Sequence, residues 1–108
     1  MGGISHINFL KIDVEGHELY VLKGLGRYLD AKFIDIIQFE YGGTNFDSKI
    51  NLKDFFDLLE LNNFVIHKIM PRHLEPKVYK PEYENFLYSN FVAISKDFLN
   101  DRIKTYSL

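Results

Sequence analysis

The sequence contains no cysteine, and that single absence excludes disulfides, thiolate metal centres and thiol nucleophiles together. Three prolines and seven glycines in 108 residues are too few for a fibrous or disordered chain. No sign of charge dominates either: 13 basic residues stand against 15 acidic ones, a net charge of −2. Such a balance gives no broad field with which to grip a polyanion or an anionic bilayer, so nucleic acid and membrane surfaces are not expected partners.

Long apolar runs are missing too. Nothing approaches the roughly 20 residues that cross a bilayer, and no basic segment followed by an apolar stretch opens the chain. The expectation is a cytoplasmic protein. Met1-Gly2 hints at myristoylation, but the hydroxyl residue required at position 6 is His6. His17-Glu18 resembles the start of a zinc-protease helix, yet the second histidine would have to stand at Val21. No serine elbow or phosphate loop is found.

What remains is an ordinary globular composition, 46% apolar and 16% aromatic, large enough for one domain with one core. Ile7, Phe9, Leu10 and Ile12 form a short apolar run from Ile7 to Asp13 that suits a strand covered on both faces. From His17 onward Leu19, Leu22, Leu25 and Leu29 recur at helical spacing, and Gly24 and Gly26 predict a break in that helix. Residues 34–40 read as a second strand, and Asn51, Asp54, Leu52, Phe55, Phe56 and Leu59 as a capped amphipathic helix ending at Asn62-Asn63. Phe64 to Met70 is a third strand stopped by Pro71, residues 71–85 an irregular excursion, and residues 91–95 a fourth strand before a short helical tail at 97–106. The fold class is α/β, with strand, helix and strand implying a parallel crossover.

Chemistry concentrates in Leu10-Lys11-Ile12-Asp13-Val14-Glu15-Gly16-His17-Glu18, where an apolar strand gives way to acids, a glycine and a helix opening. In open α/β sheets the carboxyl ends of strands face the ligand crevice. Asp13 and Glu15 sit at one such end and Glu40, with Tyr41 beside it, at the next. Acids at a strand-to-helix turn also serve as caps and dipole partners, so two readings stand side by side. Asp13 and Glu40 together could hold a divalent cation, although two carboxylates alone make no metal site. His17, whose type titrates near neutrality, is either a base or a surface residue. His6 and His67 read as structural.

The run LKIDVEGHELYVLKG at 10–24, with IIQFEYG at 36–42 and NFVAISK at 90–96, resembles the C-terminal half of FkbM-type methyltransferases. The resemblance implies residues 4–108 as that half of a Rossmann-like class I domain, with its last four strands in the order first, second, last, third and the last antiparallel. It implies S-adenosylmethionine as cofactor and a small-molecule or glycan hydroxyl as methyl acceptor. Asp13, Glu15 and His17 become the catalytic candidates, with Asp13 also beside the cofactor, and Glu40 and Tyr41 the acceptor contacts. The family's glycine-rich turn and the acid that holds the ribose hydroxyls have no counterpart here; Gly2-Gly3 precedes any strand. The strand at residues 7–13 would then lack its neighbour, and an unpaired apolar edge is a template for a second chain, giving a homodimer. A non-catalytic, self-associating module is the alternative function.

Overall fold

In the computed structural model, residues 6–13, 17–41, 51–84 and 89–100 are described. The elements run β1 (Ile7–Lys11), α1 (Glu18–Gly24), β2 (Ile34–Tyr41), α2 (Leu52–Leu61), β3 (Phe64–Ile69), β4 (Leu74–Pro76) and β5 (Ser89–Ser95), with residues 96–100 helical. The strands form a single sheet in the order β1-β2-β5-β3-β4. β1 and β2 are parallel, while β5 lies antiparallel between β2 and β3. Among the four strands expected from the sequence, both the order and the reversed last strand are as anticipated.

Side-chain alternation divides the sheet into two unlike faces. Leu10, Ile37, Ala93 and Ile66 line up across four strands, with Phe39 opposite Phe91 beside them. This face joins Leu19 and Leu22 of α1 and Leu52, Phe55, Phe56 and Leu59 of α2 in the main core. Phe39 stacks on Phe55 at 4.8 Å between ring centroids and on Phe91 at 5.5 Å. On the opposite face Phe9, Ile36, Ile94 and Val65 align. Val92 and Ile94 there are buried but lie outside the main cluster.

Local chemistry explains the element ends. α1 stops at Gly24, and Gly26 then takes a φ of +56° and opens a single 3-10 turn through Tyr28, so the expected break is present. After α2, Asn63 adopts φ 68°, the left-handed conformation that asparagine tolerates better than most residues and that commonly ends a helix.

Two expectations need correction. Residues 71–85 are not irregular throughout: Met70 N–H donates to His73 O at 2.9 Å, turning the chain so that β4 pairs antiparallel with β3, and a 3-10 turn follows at Pro81–Tyr83. Pro76 is accommodated because β4 is an edge strand, where a missing donor costs no ladder bond. β1 is not covered on both faces either; it is the other edge, with Phe9 52% exposed. An apolar run signals burial in sequence only if a neighbour exists to supply it.

His6 has a partner that its sequence neighbourhood does not suggest, Asp35 at 2.9 Å. His67 is structural: it is buried, its Nδ1 lies 3.0 Å from Val65 O, and burial lowers its pKa despite backbone hydrogen bonds that act the other way. Ser95, fully buried, donates from Oγ to Ala31 O at 2.8 Å and accepts from Phe98 N–H at 3.3 Å. Ser95→Ala removes both bonds and is expected to cost about 1–2 kcal/mol. Thermal unfolding should shift down by roughly 4–16 °C for a domain of this size; an unchanged midpoint would show that these bonds add nothing.

Candidate functional site

β1 and β2 advance in register, Lys11 level with Gln38, and Ile12 N–H extends the ladder by donating to Gln38 O at 2.9 Å. One pleat further along each strand are Asp13 and Glu40. β5, running the other way, sets Asn90 directly opposite Glu40. The result is a cleft of about 230 Å³ lined by Lys11, Asp13, Gln38, Glu40 and Asn90, with the buried Ile12 and Phe39 also bordering it.

The two acids singled out from sequence thus share one opening. Two carboxylates, an ammonium and two amides can accept from and donate to a hydroxylated ligand, and the carboxylates favour a cationic one. Among the described residues no group of three or more histidine, aspartate or glutamate side chains is placed to hold a metal.

The remaining candidates do not converge on the cleft. Glu15 lies outside the described residues. His17 is exposed at the start of α1, its ring tilted 6.3 Å from that of Tyr20, and does not appear in the cleft lining. Tyr41 is 2% exposed and follows the alternation of β2 into the core, where its ring meets Phe55 edge-on at 5.9 Å.

Tyr41 leads instead to a residue that sequence reasoning missed. Its hydroxyl donates to Glu84 Oε1 at 2.9 Å; the same oxygen accepts Leu52 N–H at 2.8 Å, while Oε2 accepts Tyr79 O–H at 2.6 Å and Lys53 N–H at 3.0 Å. Glu84 therefore caps α2 from a distant part of the chain. Asn51 holds the N-cap position, and its N–H donates to Asp54 Oδ2 at 3.0 Å. Burial works against the Glu84 carboxylate, but hydrogen bonds from Tyr79, Leu52, Lys53 and Tyr41 outweigh it and lower its pKa. Both phenols respond in kind. Tyr79 is pushed up to about 12, chiefly by its bond to Glu84, and Tyr41 is raised as well, chiefly by burial and then by Glu84.

Lys11, Gln38 and Asn90 were also missed. Gln38 had a signal available, since alternation within β2 puts it on the same face as Glu40. Lys11 had the same signal, two residues before Asp13 on one strand, whereas Asn90 joins only through the register of β5 with β2.

A family profile described as the methyltransferase FkbM domain matches residues 1–74, a span that contains Asp13 and Glu40. No curated protein and no solved structure matches the chain.

Proposed function

The chain belongs to the FkbM methyltransferase family, and on that footing we propose that it supplies the C-terminal half of a Rossmann-like, S-adenosylmethionine-dependent O-methyltransferase domain. The acceptor is a hydroxyl of a small molecule or glycan. The observation that carries the reading is the convergence of Asp13 and Glu40, from adjacent parallel strands of this family's domain, on one cleft.

That cleft suits one part of the reacting pair. Its carboxylates favour the positive charge of S-adenosylmethionine, which supplies the activated methyl group when bound. A volume of about 230 Å³ falls short of the roughly 300–1,000 Å³ of pockets that enclose a whole small-molecule ligand. Other residues must hold the rest of the cofactor. Since methyl transfer from a sulfonium is already downhill, the protein's task is to align the acceptor oxygen and receive its proton. Asp13 takes the proton; Glu40 and Asn90 orient the acceptor through its hydroxyls. Lys11 and Gln38 donate hydrogen bonds at the rim.

Methyl transfer from radiolabelled S-adenosylmethionine to a panel of hydroxylated glycans and small molecules, measured with the chain joined to a segment that supplies the other half of the domain, tests the proposal. Asp13→Asn is expected to lower transfer by about 100-fold or more, the scale of a lost general base, whereas Tyr20→Phe, away from the cleft, should leave it unchanged. Transfer that survives both Asp13→Asn and Glu40→Gln would overturn the assignment. Tight calorimetric binding of the cofactor by the 108-residue chain alone would overturn the division of the domain into halves.

A further inference from the structure

Glu84 joins elements that lie far apart in sequence. Its Oε1 accepts from Tyr41 O–H at 2.9 Å and from Leu52 N–H at 2.8 Å, so a single oxygen bridges the last residue of β2 and the first residue of α2. Oε2 accepts from Tyr79 O–H at 2.6 Å and Lys53 N–H at 3.0 Å. Held from both sides, the carboxylate cannot turn toward one partner without losing another. Capping α2 requires only the two N–H groups. The bond to Tyr41 reaches further, to the end of the strand that carries Glu40.

Tyr41 pairs with Ser89 on the terminal rung between β2 and β5, and the next rung inward is Glu40 with Asn90, both of which line the cleft. Tyr41 enters the core while Glu40, one residue earlier, faces the cleft. The ends of ladders open at little cost in free energy, and side chains near them move when they do. Binding groups tolerate only about 0.5 Å of such misplacement. The Tyr41–Glu84 bond ties the terminal rung to α2, which is itself packed into the core through Leu52, Phe55, Phe56 and Leu59.

We infer that Glu84 is a positioning residue for the cleft: through Tyr41 it fixes the rung of Glu40 and Asn90, the two side chains that orient the acceptor. The inference rests on the methyltransferase reading for what that rung does, but not for what holds it in place. Glu84 is no part of the cleft lining and acts from the core side of β2. Tyr79 shares the carboxylate without sharing this role, because its ring packs edge-on against Phe56 of α2 at 5.6 Å and belongs to no strand of the cleft.

Tyr41→Phe and Tyr79→Phe test the inference as a pair. Each removes one phenol from Glu84 and keeps the ring, so a merely structural role for the network predicts the same behaviour from both. Amide hydrogen exchange on the whole chain, resolved by NMR, is expected to be about tenfold faster or more at residues 39–41 and 89–91 in Tyr41→Phe, the scale of one lost bond to a charged group, and unchanged there in Tyr79→Phe. With the other half of the domain attached, Tyr41→Phe should raise the KM of the panel member that wild type methylates fastest by about tenfold at nearly constant kcat, the signature of weakened binding. Tyr79→Phe should leave that KM at its wild-type value. Equal exchange in the two variants, or a KM that Tyr41→Phe does not move, would overturn the assignment. A wild type that transfers no methyl group would refute the function instead, and the exchange comparison would then decide by itself whether Glu84 holds the rung.

Discussion

Glu84→Ala is expected to destabilise the protein by about 3 kcal/mol, the worth of a multiply bonded carboxylate that also caps a helix. The midpoint of thermal unfolding should fall by roughly 12–24 °C. One substitution removes the acceptor of Tyr41 O–H, Tyr79 O–H and the first two N–H groups of α2. Glutamine is no remedy, since its amide would turn a donor toward two of those four donors.

The pH dependence has a definite sign. The pKa of Glu84 is lowered from its ordinary 4.5, so its contribution is complete above that value and is lost as pH falls through the lower folded-state value. Urea unfolding of wild type and Glu84→Ala at pH 7 and pH 3 should show the gap between them narrowing in acid. A gap that stays constant would mean that the charge on Glu84 does not matter.

Phe55→Ala should cost about 3–5 kcal/mol, as for other buried phenylalanines replaced by alanine. Phe55 is fully buried between Phe39, parallel at 4.8 Å, and the edge of Tyr41 at 5.9 Å. Because a domain of this length has only about 5–15 kcal/mol in total, the variant should be partly unfolded at 37 °C. Leu61→Ala, on the same helix but 79% exposed, should change stability by less than about 0.5 kcal/mol. Urea midpoints of the pair decide it, and equal midpoints would remove the aromatic stack from the account of the core.

The sequence was most readable where a pattern repeats. The β-branched and aromatic run at residues 34–40 and the helical stripe of Leu52, Phe55, Phe56 and Leu59 placed those elements to within a residue of their ends. Asp13 and Glu40 could be paired in advance because strand ends in parallel sheets face one way, and the FkbM resemblance put their strands side by side. β4 was hidden by Pro76 and the flanking Pro71 and Pro81, which read as loop although an edge strand tolerates a proline. Glu84 was hidden for a different reason: its partners lie 5, 31, 32 and 43 residues away, and no local window contains them. Phe9 and Ile12 look equally buried in sequence, yet one is exposed and the other is not. The difference lies in the side of the sheet each occupies.

β5 is last among the strands to be synthesised and yet lies at the centre of the sheet. Without it, β1-β2 and β3-β4 share no ladder and a strand-wide gap separates β2 from β3. The matched family segment ends at residue 74, before that gap can be filled. A piece cut there would keep Asp13 and Glu40 but lose β5 and all but the first residue of β4, leaving β2 and β3 with open edges prone to aggregation and proteolysis.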